Sequence, residues 1–295
     1  MATAPTRHRI ADWVRAAGPP LVVVLVLQGA YGIAAAHHLG RLSALRVVLS
    51  LALFVPDGIG RRLINDYEDY VRGLDKSDRV RPDSALALGL DMRRVRQVGL
   101  VAFAVAWICA SYLALTTNPW ILVLAFIAYL AYFAYAGGPH PLGHMGLGEV
   151  LDFGVTGTTV TLLVIWVNAG HLDLAAGMAA AGSGFLFATL MLHNNARDLE
   201  KDRTAGKTTL PHLISSGQTK ALYATCLSCF YLAIVGFALL TRSPGYLLPL
   251  LTAPWAVLLI WTVIRSRLGE ALVSWSRVYY LMIANFTLFT MGAWL

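Results

Sequence analysis

Residues 119–136 read PWILVLAFIAYLAYFAYA, which is 18 consecutive residues without a charged side chain. A run of this length and composition is typical of a helix that crosses a lipid bilayer. Similar runs recur along the chain and predict spans at approximately 19–38, 43–64, 95–115, 119–136, 147–168, 173–192, 219–240, 246–264 and 275–294. We therefore expect an all-α fold, a polytopic membrane bundle of about nine transmembrane helices.

The composition agrees with a membrane protein and argues against a soluble nucleic-acid binder. The chain has 295 residues, of which 57% are hydrophobic and 13% are charged, whereas soluble domains are about 25% charged. The net charge of +7 would suggest a nucleic-acid partner in a soluble protein. Here the basic residues lie between predicted spans, where they set topology and contact anionic lipid headgroups. We expect membrane lipid as a partner and no nucleic acid.

The distribution of Lys and Arg predicts the orientation in the membrane. If the N-terminus is cytoplasmic, only Arg41, Arg46 and Arg242 of the 23 Lys and Arg face the opposite side, as the positive-inside rule requires. No segment between predicted spans is long enough to fold as a soluble domain. We expect one integral-membrane domain over residues 1–295 in the cell membrane, with a cytoplasmic tail at residues 1–17.

A first cluster of polar residues, NDYEDYVRGLDKSDRVRP at residues 65–82, directly follows the second predicted span. Carboxylates are costly near a bilayer, so such a cluster indicates a functional site. If the helix of this span continues through Asp69, then Asn65, Asp66 and Asp69 project to one side. Gly73 is expected to end the helix, and Asp75 to begin the loop that follows.

A second cluster, HNNARDLEKDRTAGKTTL at residues 193–210, follows the sixth predicted span. Asn194, Asp198 and Asp202 have the spacing i, i+4, i+8, with Asn195 alongside. Arg197 and Lys201 share a neighbouring face of the same predicted helix. Each cluster therefore offers carboxylates and amides in line, with cations beside them.

This combination of side chains is suited to magnesium and a diphosphate. Mg²⁺ takes one or two carboxylates, several waters and substrate phosphate oxygens. Two such helix ends facing each other would hold two ions with a diphosphate between them. The candidates to neutralise its remaining oxygens are Arg72, Arg197, Lys201 and Lys207. Metal and cations would stabilise the charge on a departing diphosphate and leave an allylic carbocation in an apolar chamber.

The two clusters resemble the motifs of a known family. The first resembles the NDxxD signature of the UbiA superfamily of intramembrane prenyltransferases, and within it the 1,4-dihydroxy-2-naphthoate branch of the menaquinone pathway. In that branch a Gly-x-Asp replaces the third acid, here Gly73-Leu74-Asp75. The second motif of the branch is similar to Asn194-Asn195-x-Arg197-Asp198, then Asp202, then Gly206-Lys207-x-Thr209-Leu210. Its middle loop is similar to Tyr135-x-Gly137-Gly138-Pro139, Leu142-Gly143 and Gly146-Leu147-Gly148-Glu149.

The resemblance implies a reaction and assigns roles to residues. A prenyl carbocation from a prenyl diphosphate would alkylate an aromatic ring electrophilically and release diphosphate. Two Mg²⁺ bridging the diphosphate would be bound by Asp66, Asp69, Asp198 and Asp202. The diphosphate would be held by Asn65, Arg72, Arg197, Lys201 and Lys207. Glu149 would contact or deprotonate the acceptor, and the further substrate-binding candidates are Asp75, Tyr135, His144, Asn194 and Asn195. No protein partner is implied.

Several positions depart from that branch. Arg62 stands where Asn is expected, Arg81 replaces a Gly, His144 stands where Tyr is common, and Asp152 puts an acid in a normally apolar run. A buried acid is expensive in a membrane, so Asp152 is predicted to orient the acceptor or to exchange a proton with a carbocation.

These departures leave two alternatives open. One is a terpene cyclase on the same scaffold, which would use Asp152 or His144 and need no aromatic acceptor. The other is a cation-coupled transporter. It is less favoured because transporters tend to place ionisable groups near the midplane, whereas most of these predicted spans have uncharged interiors.

Overall fold

The structure, a computed structural model, describes residues 10–73, 81–137, 141–269 and 275–295. Its helices in chain order are α1 (Ile10–Ala16), α2 (Pro19–His37), α3 (Ala44–Val71), α4 (Met92–Leu115), α5 (Trp120–Ala136), α6 (Gly148–Leu151), α7 (Val160–Ala169), α8 (Leu174–Arg197), α9 (Leu199–Thr204), α10 (Leu210–Leu213), α11 (Ser216–Thr241), α12 (Ala253–Arg265) and α13 (Trp275–Gly292). A π-helical segment, Asp152–Thr159, joins α6 to α7, and 3₁₀ turns cover Leu142–His144 and Pro244–Thr252. Over these residues the only β pairing is one isolated bridge, which confirms the predicted all-α fold.

Among the described residues, six helical segments are long and apolar enough to cross a membrane. They are Pro19–His37, Met92–Leu115, Gly148–Ala169, Leu174–Arg197, Ser216–Thr241 and Pro244–Arg265. The other three predicted spans correspond to α3, whose C-terminal half carries charges, to the shorter apolar helix α5, and to α13.

One compact unit is formed by Met1–Val26 and Ala52–Cys109. Its core includes Leu63 of α3 and Ala85 and Leu90 of the segment before α4. Helices α3 and α4 approach closely through glycine, since a Cβ on Gly60 would lie 3.0 Å from the ring of Phe103. Small residues at such contacts allow close helix packing in membranes. This packing fixes the end of α3, which carries the first cluster.

The other compact unit is formed by Leu27–Leu51 and Ala110–Leu295. Within it α8 packs along α11 and along the π-helical segment. A Cβ on Gly157 would lie 2.3 Å from the Cα of Gly184, so the two backbones touch and any side chain at Gly157 would force them apart.

Two backbone carbonyl groups of the π-helical segment accept hydrogen bonds from a side chain of α2. A π-helix shifts the backbone bonding pattern, and membrane interiors offer no water to satisfy carbonyl oxygens left over. The buried amide Nε2 of Gln28 donates to Thr156 O at 2.6 Å and to Gly157 O at 3.3 Å. Gln28 therefore stabilises the irregular segment that begins with Asp152.

Candidate active site

The end of α3 has the predicted form. The helix passes Asp69 and ends at Val71, and Gly73 follows with a φ of 66°. The amide Nδ2 of Asn65 donates to Oδ2 of Asp69 at 3.1 Å. The predicted i, i+4 pair is therefore confirmed, and it holds the Asp69 carboxylate in a defined direction.

Asp66, in contrast, is enclosed by protein donors. It is 1% exposed and accepts from Nη2 of Arg81 at 2.5 Å and from the backbone N–H of Ala85 at 2.8 Å. Nε of Arg62 lies 3.7 Å from the same carboxylate, and Nη2 of Arg62 donates to Asp83 at 2.8 Å. A buried carboxylate is stable only with such donors. They come from a segment that helix periodicity does not reveal, so the spacing that predicts Asn65, Asp66 and Asp69 on one side of the helix does not predict the burial of Asp66.

Of the two other predicted residues of the first cluster, Arg72 and Asp75, the described part of the chain contains only Arg72. Nη2 of Arg72 donates to Oε2 of Glu68 at 3.1 Å, one turn back along α3. The guanidinium of Arg72 therefore lies along the end of the helix. Asp75 lies outside the described residues.

The second cluster begins on α8 but does not continue it. Helix α8 ends at Arg197, Asp198 has φ −91° and ψ 12°, and α9 starts at Leu199. The predicted unbroken line of Asn194, Asp198 and Asp202 is therefore interrupted at its middle member. The backbone N–H of Asp198 still donates to Asn194 O at 2.9 Å, so the break is local.

The carboxylates of the second cluster pair with cations close in sequence. Arg197 donates through Nε and Nη2 to the two oxygens of Asp198, at 2.9 and 2.5 Å. Nζ of Lys207 lies 3.4 Å from Oδ2 of Asp202. Burial raises the pKa of Asp202 above its usual range; Lys207 opposes this rise and the neighbouring Asp198 adds to it. Additional positive charge, such as a metal ion, would stabilise this pair of acids. Lys201 is exposed on α9.

The loop before α6 joins the second cluster through a short backbone pairing. The N–H of Gly146 donates to Thr208 O at 3.0 Å, and the N–H of Thr208 donates to His144 O at 3.2 Å. The pairing holds the backbone of His144 close to the loop that carries Lys207, so these two candidates belong to one local site.

Glu149 and Asn195 meet in the same region. Glu149 is 4% exposed and accepts from Nδ2 of Asn195 at 2.9 Å. Lys207 lies within electrostatic range of this carboxylate. The hydroxyl of Tyr135 donates to Sδ of Met191 at 3.8 Å, one turn before Asn195. A buried acid therefore lies beside the cationic loop of the second cluster.

Asp152 opens the π-helical segment. It is half-buried, and its Oδ1 accepts from Oγ1 of Thr156 at 3.1 Å. π-Helical turns frequently occur at functional sites. Gly154 and Gly157, which are uncommon inside a helix, are the only residues whose type hints at this segment.

Two features of this region were missed by sequence reasoning. Oδ1 of Asn194 is buried and has no hydrogen-bond partner among the described residues. On α11, the ring of Tyr223 lies against that of His193, with centroids 5.9 Å apart. A tyrosine inside an apolar run carries no motif, so only the packing identifies it.

The donor set fits magnesium bound partly by substrate. No three His, Cys, Asp or Glu side chains in the described part of the chain gather closely enough to hold a metal on their own. Mg²⁺ does not need such a cage, because it usually binds through one or two carboxylates, waters and phosphate oxygens. Asp69 beside Asn65, and Asp198 with Asp202, each supply ligands of this kind.

The family is decided by comparison with known proteins. The family model described as "UbiA prenyltransferase family" matches residues 21–286, which is most of the chain. The chain belongs to this family. It is therefore an intramembrane prenyltransferase and a multi-pass membrane protein, as the resemblance of its motifs predicted, and the transporter alternative is set aside.

Individual relatives agree with this assignment. The chain is 29% identical over 264 residues to the 1,4-dihydroxy-2-naphthoate octaprenyltransferase of Mycobacterium tuberculosis, covering 89% of each chain. It is 30% identical to the Escherichia coli protein of the same name, covering 84% of this chain and 83% of that one. The structure of a UbiA homolog from Archaeoglobus fulgidus bound to GPP and Mg²⁺ has a TM-score of 0.63 at 16% identity, covering 94% and 99%. This last likeness supports the fold alone.

Proposed function

We propose that this enzyme transfers a prenyl group from a prenyl diphosphate to an aromatic acceptor resembling 1,4-dihydroxy-2-naphthoate, with Mg²⁺ as cofactor. The observation that carries the proposal is the buried Glu149, oriented by Asn195 beside the loop of Lys207. An acid in this position can accept a proton from a phenolic acceptor next to a diphosphate-binding loop. The names of the Mycobacterium tuberculosis and Escherichia coli relatives support the same acceptor class.

In the proposed site, Asp69, Asp198 and Asp202 would be ligands of two magnesium ions, and Asn65 would contact the diphosphate. Mg²⁺, when bound, neutralises the diphosphate and stabilises it as a leaving group. The diphosphate oxygens not bound to metal are assigned to Arg72, Arg197, Lys201 and Lys207, whose donors suit phosphate.

Asp66 receives a different role in this proposal. Because both of its oxygens are near protein donors and it is buried, we assign it to holding the segment of Arg81 and Ala85 on α3. It positions the end of that helix, on which Asp69 lies, in place of the metal-binding role that the family resemblance implies.

The acceptor is activated by this chain's own residues. The carboxylate of Glu149 takes the proton of an acceptor hydroxyl, which makes the aromatic ring more nucleophilic. A ring carbon then forms a bond to the prenyl carbon, and the carbon–oxygen bond to diphosphate breaks with its electron pair leaving on diphosphate. The ring regains its aromaticity when the group displaced from that carbon leaves, either as a proton or, from a carboxyl-bearing carbon, as CO₂. Tyr135 and His144 flank the acceptor. The uneven distribution of Lys and Arg supports a cytoplasmic location for the N-terminus and for both clusters.

A terpene cyclase remains the second candidate because of one observation. Asp152 is a half-buried acid at the start of an irregular helical turn, held by Thr156. A cyclase needs a group that exchanges a proton with a carbocation in an apolar chamber, and Asp152 has the required chemistry.

The deciding experiment measures diphosphate release by the purified protein with Mg²⁺ and geranylgeranyl or octaprenyl diphosphate, with and without 1,4-dihydroxy-2-naphthoate. We expect release that requires the naphthoate, yields a prenylated product, stops with EDTA and returns with added Mg²⁺. Release without any aromatic, accompanied by a terpene, would favour the cyclase. No release with any prenyl diphosphate or phenolic acceptor would contradict the proposal.

A further inference from the structure

Three of the buried tyrosines in the unit that contains the second cluster are at most 2% exposed, and they differ in one respect. The hydroxyl of Tyr31 donates to Ala179 O at 2.7 Å, and that of Tyr246 donates to Ala34 O at 2.9 Å. The hydroxyl of Tyr223, which is 2% exposed, has no hydrogen-bond partner in the described part of the chain. Burying a hydroxyl without a partner is costly. Such a group calls for a specific explanation.

The packing of α11 on α8 places Tyr223 at the level of the second cluster. The helices run antiparallel, because Gly182 of α8 faces Phe230 of α11 and, further along α11, Gly236 faces Met178. Following this register toward the cluster brings the Tyr223 ring against His193. His193 lies two residues before Asn195, the partner of the buried acid.

The neighbourhood of Tyr223 is polar and includes the proposed acceptor site. Cys226, one turn along α11 from Tyr223, lies within electrostatic range of Glu149. Between His193 and Asn195, Oδ1 of Asn194 is also buried without a partner in the described residues. The unmatched atoms of the described residues here include the hydroxyl of Tyr223, which can donate, and two oxygens that accept, Oδ1 of Asn194 and Oε2 of Glu149. A molecule bound beside Tyr223 would satisfy its hydroxyl by supplying an acceptor oxygen.

The two substrates of the proposed reaction differ in the hydrogen-bonding groups that they could offer to the Tyr223 hydroxyl. The isoprenoid tail has no hydrogen-bonding atoms, and the charged diphosphate is assigned to the cations and carboxylates of the clusters. A phenol with hydroxyl and carboxylate groups has hydrogen-bond donors and acceptors on its edge. Its flat apolar ring could also pack beside the aromatic pair of Tyr223 and His193.

We propose that Tyr223 is a binding residue for the aromatic acceptor and that its hydroxyl donates to an oxygen on the polar edge of that ring. The inference rests on the proposed function and deepens it by naming a residue of the acceptor site on α11. A hydrogen bond to a charged oxygen is stronger than one between neutral groups. Tyr223 should therefore bind a carboxylate oxygen of the acceptor more strongly than a neutral hydroxyl oxygen.

The test is Tyr223→Phe in the full-length enzyme, which removes one oxygen atom and no ring. We expect KM for 1,4-dihydroxy-2-naphthoate to rise roughly ten-fold or more, with KM for the prenyl diphosphate unchanged. The melting temperature without ligand should not fall, because the hydroxyl makes no hydrogen bond within the described protein. The increase in melting temperature that 1,4-dihydroxy-2-naphthoate gives the wild type should shrink in the variant.

Tyr246→Phe is the matched control, since it removes an equally buried hydroxyl that does have a partner. It should lower the melting temperature and leave both KM values unchanged. An unaltered KM for the acceptor in Tyr223→Phe, or an equal change in the KM of both substrates, would overturn the inference while the proposed function stands. A wild-type protein that neither binds nor prenylates the naphthoate would overturn the proposed function and this inference with it.

Discussion

The first and second clusters contain the same residue types but surround their aspartates differently. The side chain of Asp66 in the first cluster is 0% exposed, whereas those of Asp198 and Asp202 are 29% and 16% exposed. The donors of Asp66 lie 15 and 19 residues away in sequence. In the second cluster, the partners of Asp198 and Asp202 are sequence neighbours, Arg197 and Lys207.

This difference separates two uses of the same side chain. A carboxylate enclosed by distant parts of the chain joins those parts, so its loss is felt mainly in stability. A carboxylate that remains accessible and pairs with a nearby cation can exchange that partner for a ligand, so its loss is felt mainly in activity. Variants of single residues can test this division.

The largest effect is expected for Asp66→Ala. The change leaves Arg62 short of one partner and the N–H of Ala85 without its acceptor, and breaking a buried ion pair typically costs about 3 kcal/mol or more. The free energy of unfolding in detergent, or the melting temperature as its substitute, should fall strongly. Asp83→Ala is the control, because it removes the half-exposed partner of Arg62 and should cost roughly 1 kcal/mol or less. Equal losses in the two variants would remove the proposed distinction.

A smaller effect, on the activation free energy of prenyl transfer and not on the free energy of unfolding, is expected for Asp198→Ala and Asp69→Ala. Each removes a proposed magnesium ligand, so the rate of prenyl transfer should fall by at least roughly a hundred-fold. The melting temperature should stay close to that of the wild type, because neither carboxylate is fully buried. Asp91→Ala, at an exposed acid paired with Arg94, serves as the control and should keep full activity. Turnover like that of the wild type in both variants would contradict the site assignment.

The smallest effect is expected for Arg81→Gly, which restores the residue that the naphthoate branch is expected to have. Arg81 is half-exposed, so solvent screens part of its attraction to Asp66, while Arg62 and the N–H of Ala85 remain in place. We expect a loss of about 1 kcal/mol in the free energy of unfolding and a normal rate of prenyl transfer. A rate loss as large as that of Asp69→Ala would show that Arg81 acts on substrate and not only on Asp66.

The sequence was sufficient where local rules decide the structure. Runs of apolar residues predicted the positions of the long helices, and the i, i+4 spacing predicted the contact between Asn65 and Asp69. Gly73 marked the end of α3 because glycine readily adopts a positive φ. The family resemblance was likewise visible in short motifs.

It was insufficient where distant segments meet. Nothing in the pattern around Asp66 indicates that Arg81 and Ala85 fold back onto it, so its burial could not be foreseen. The bidentate contact between Arg197 and Asp198 accompanies a break in a helix that spacing alone predicts to be continuous. Tyr223 was missed for a related reason, since an unmatched hydroxyl can be recognised only after every neighbour is placed.

The π-helical segment also has a consequence for the evolution of chain length in this protein. A π-helical turn accommodates more residues than an α-helical turn, so a span can gain a residue here while its ends stay in place. Losing one residue from Asp152–Thr159 would return this turn to α-helical geometry and leave α6, and Glu149 with it, in nearly the same orientation relative to α7. Insertions and deletions of one residue between homologous chains should therefore gather at this segment.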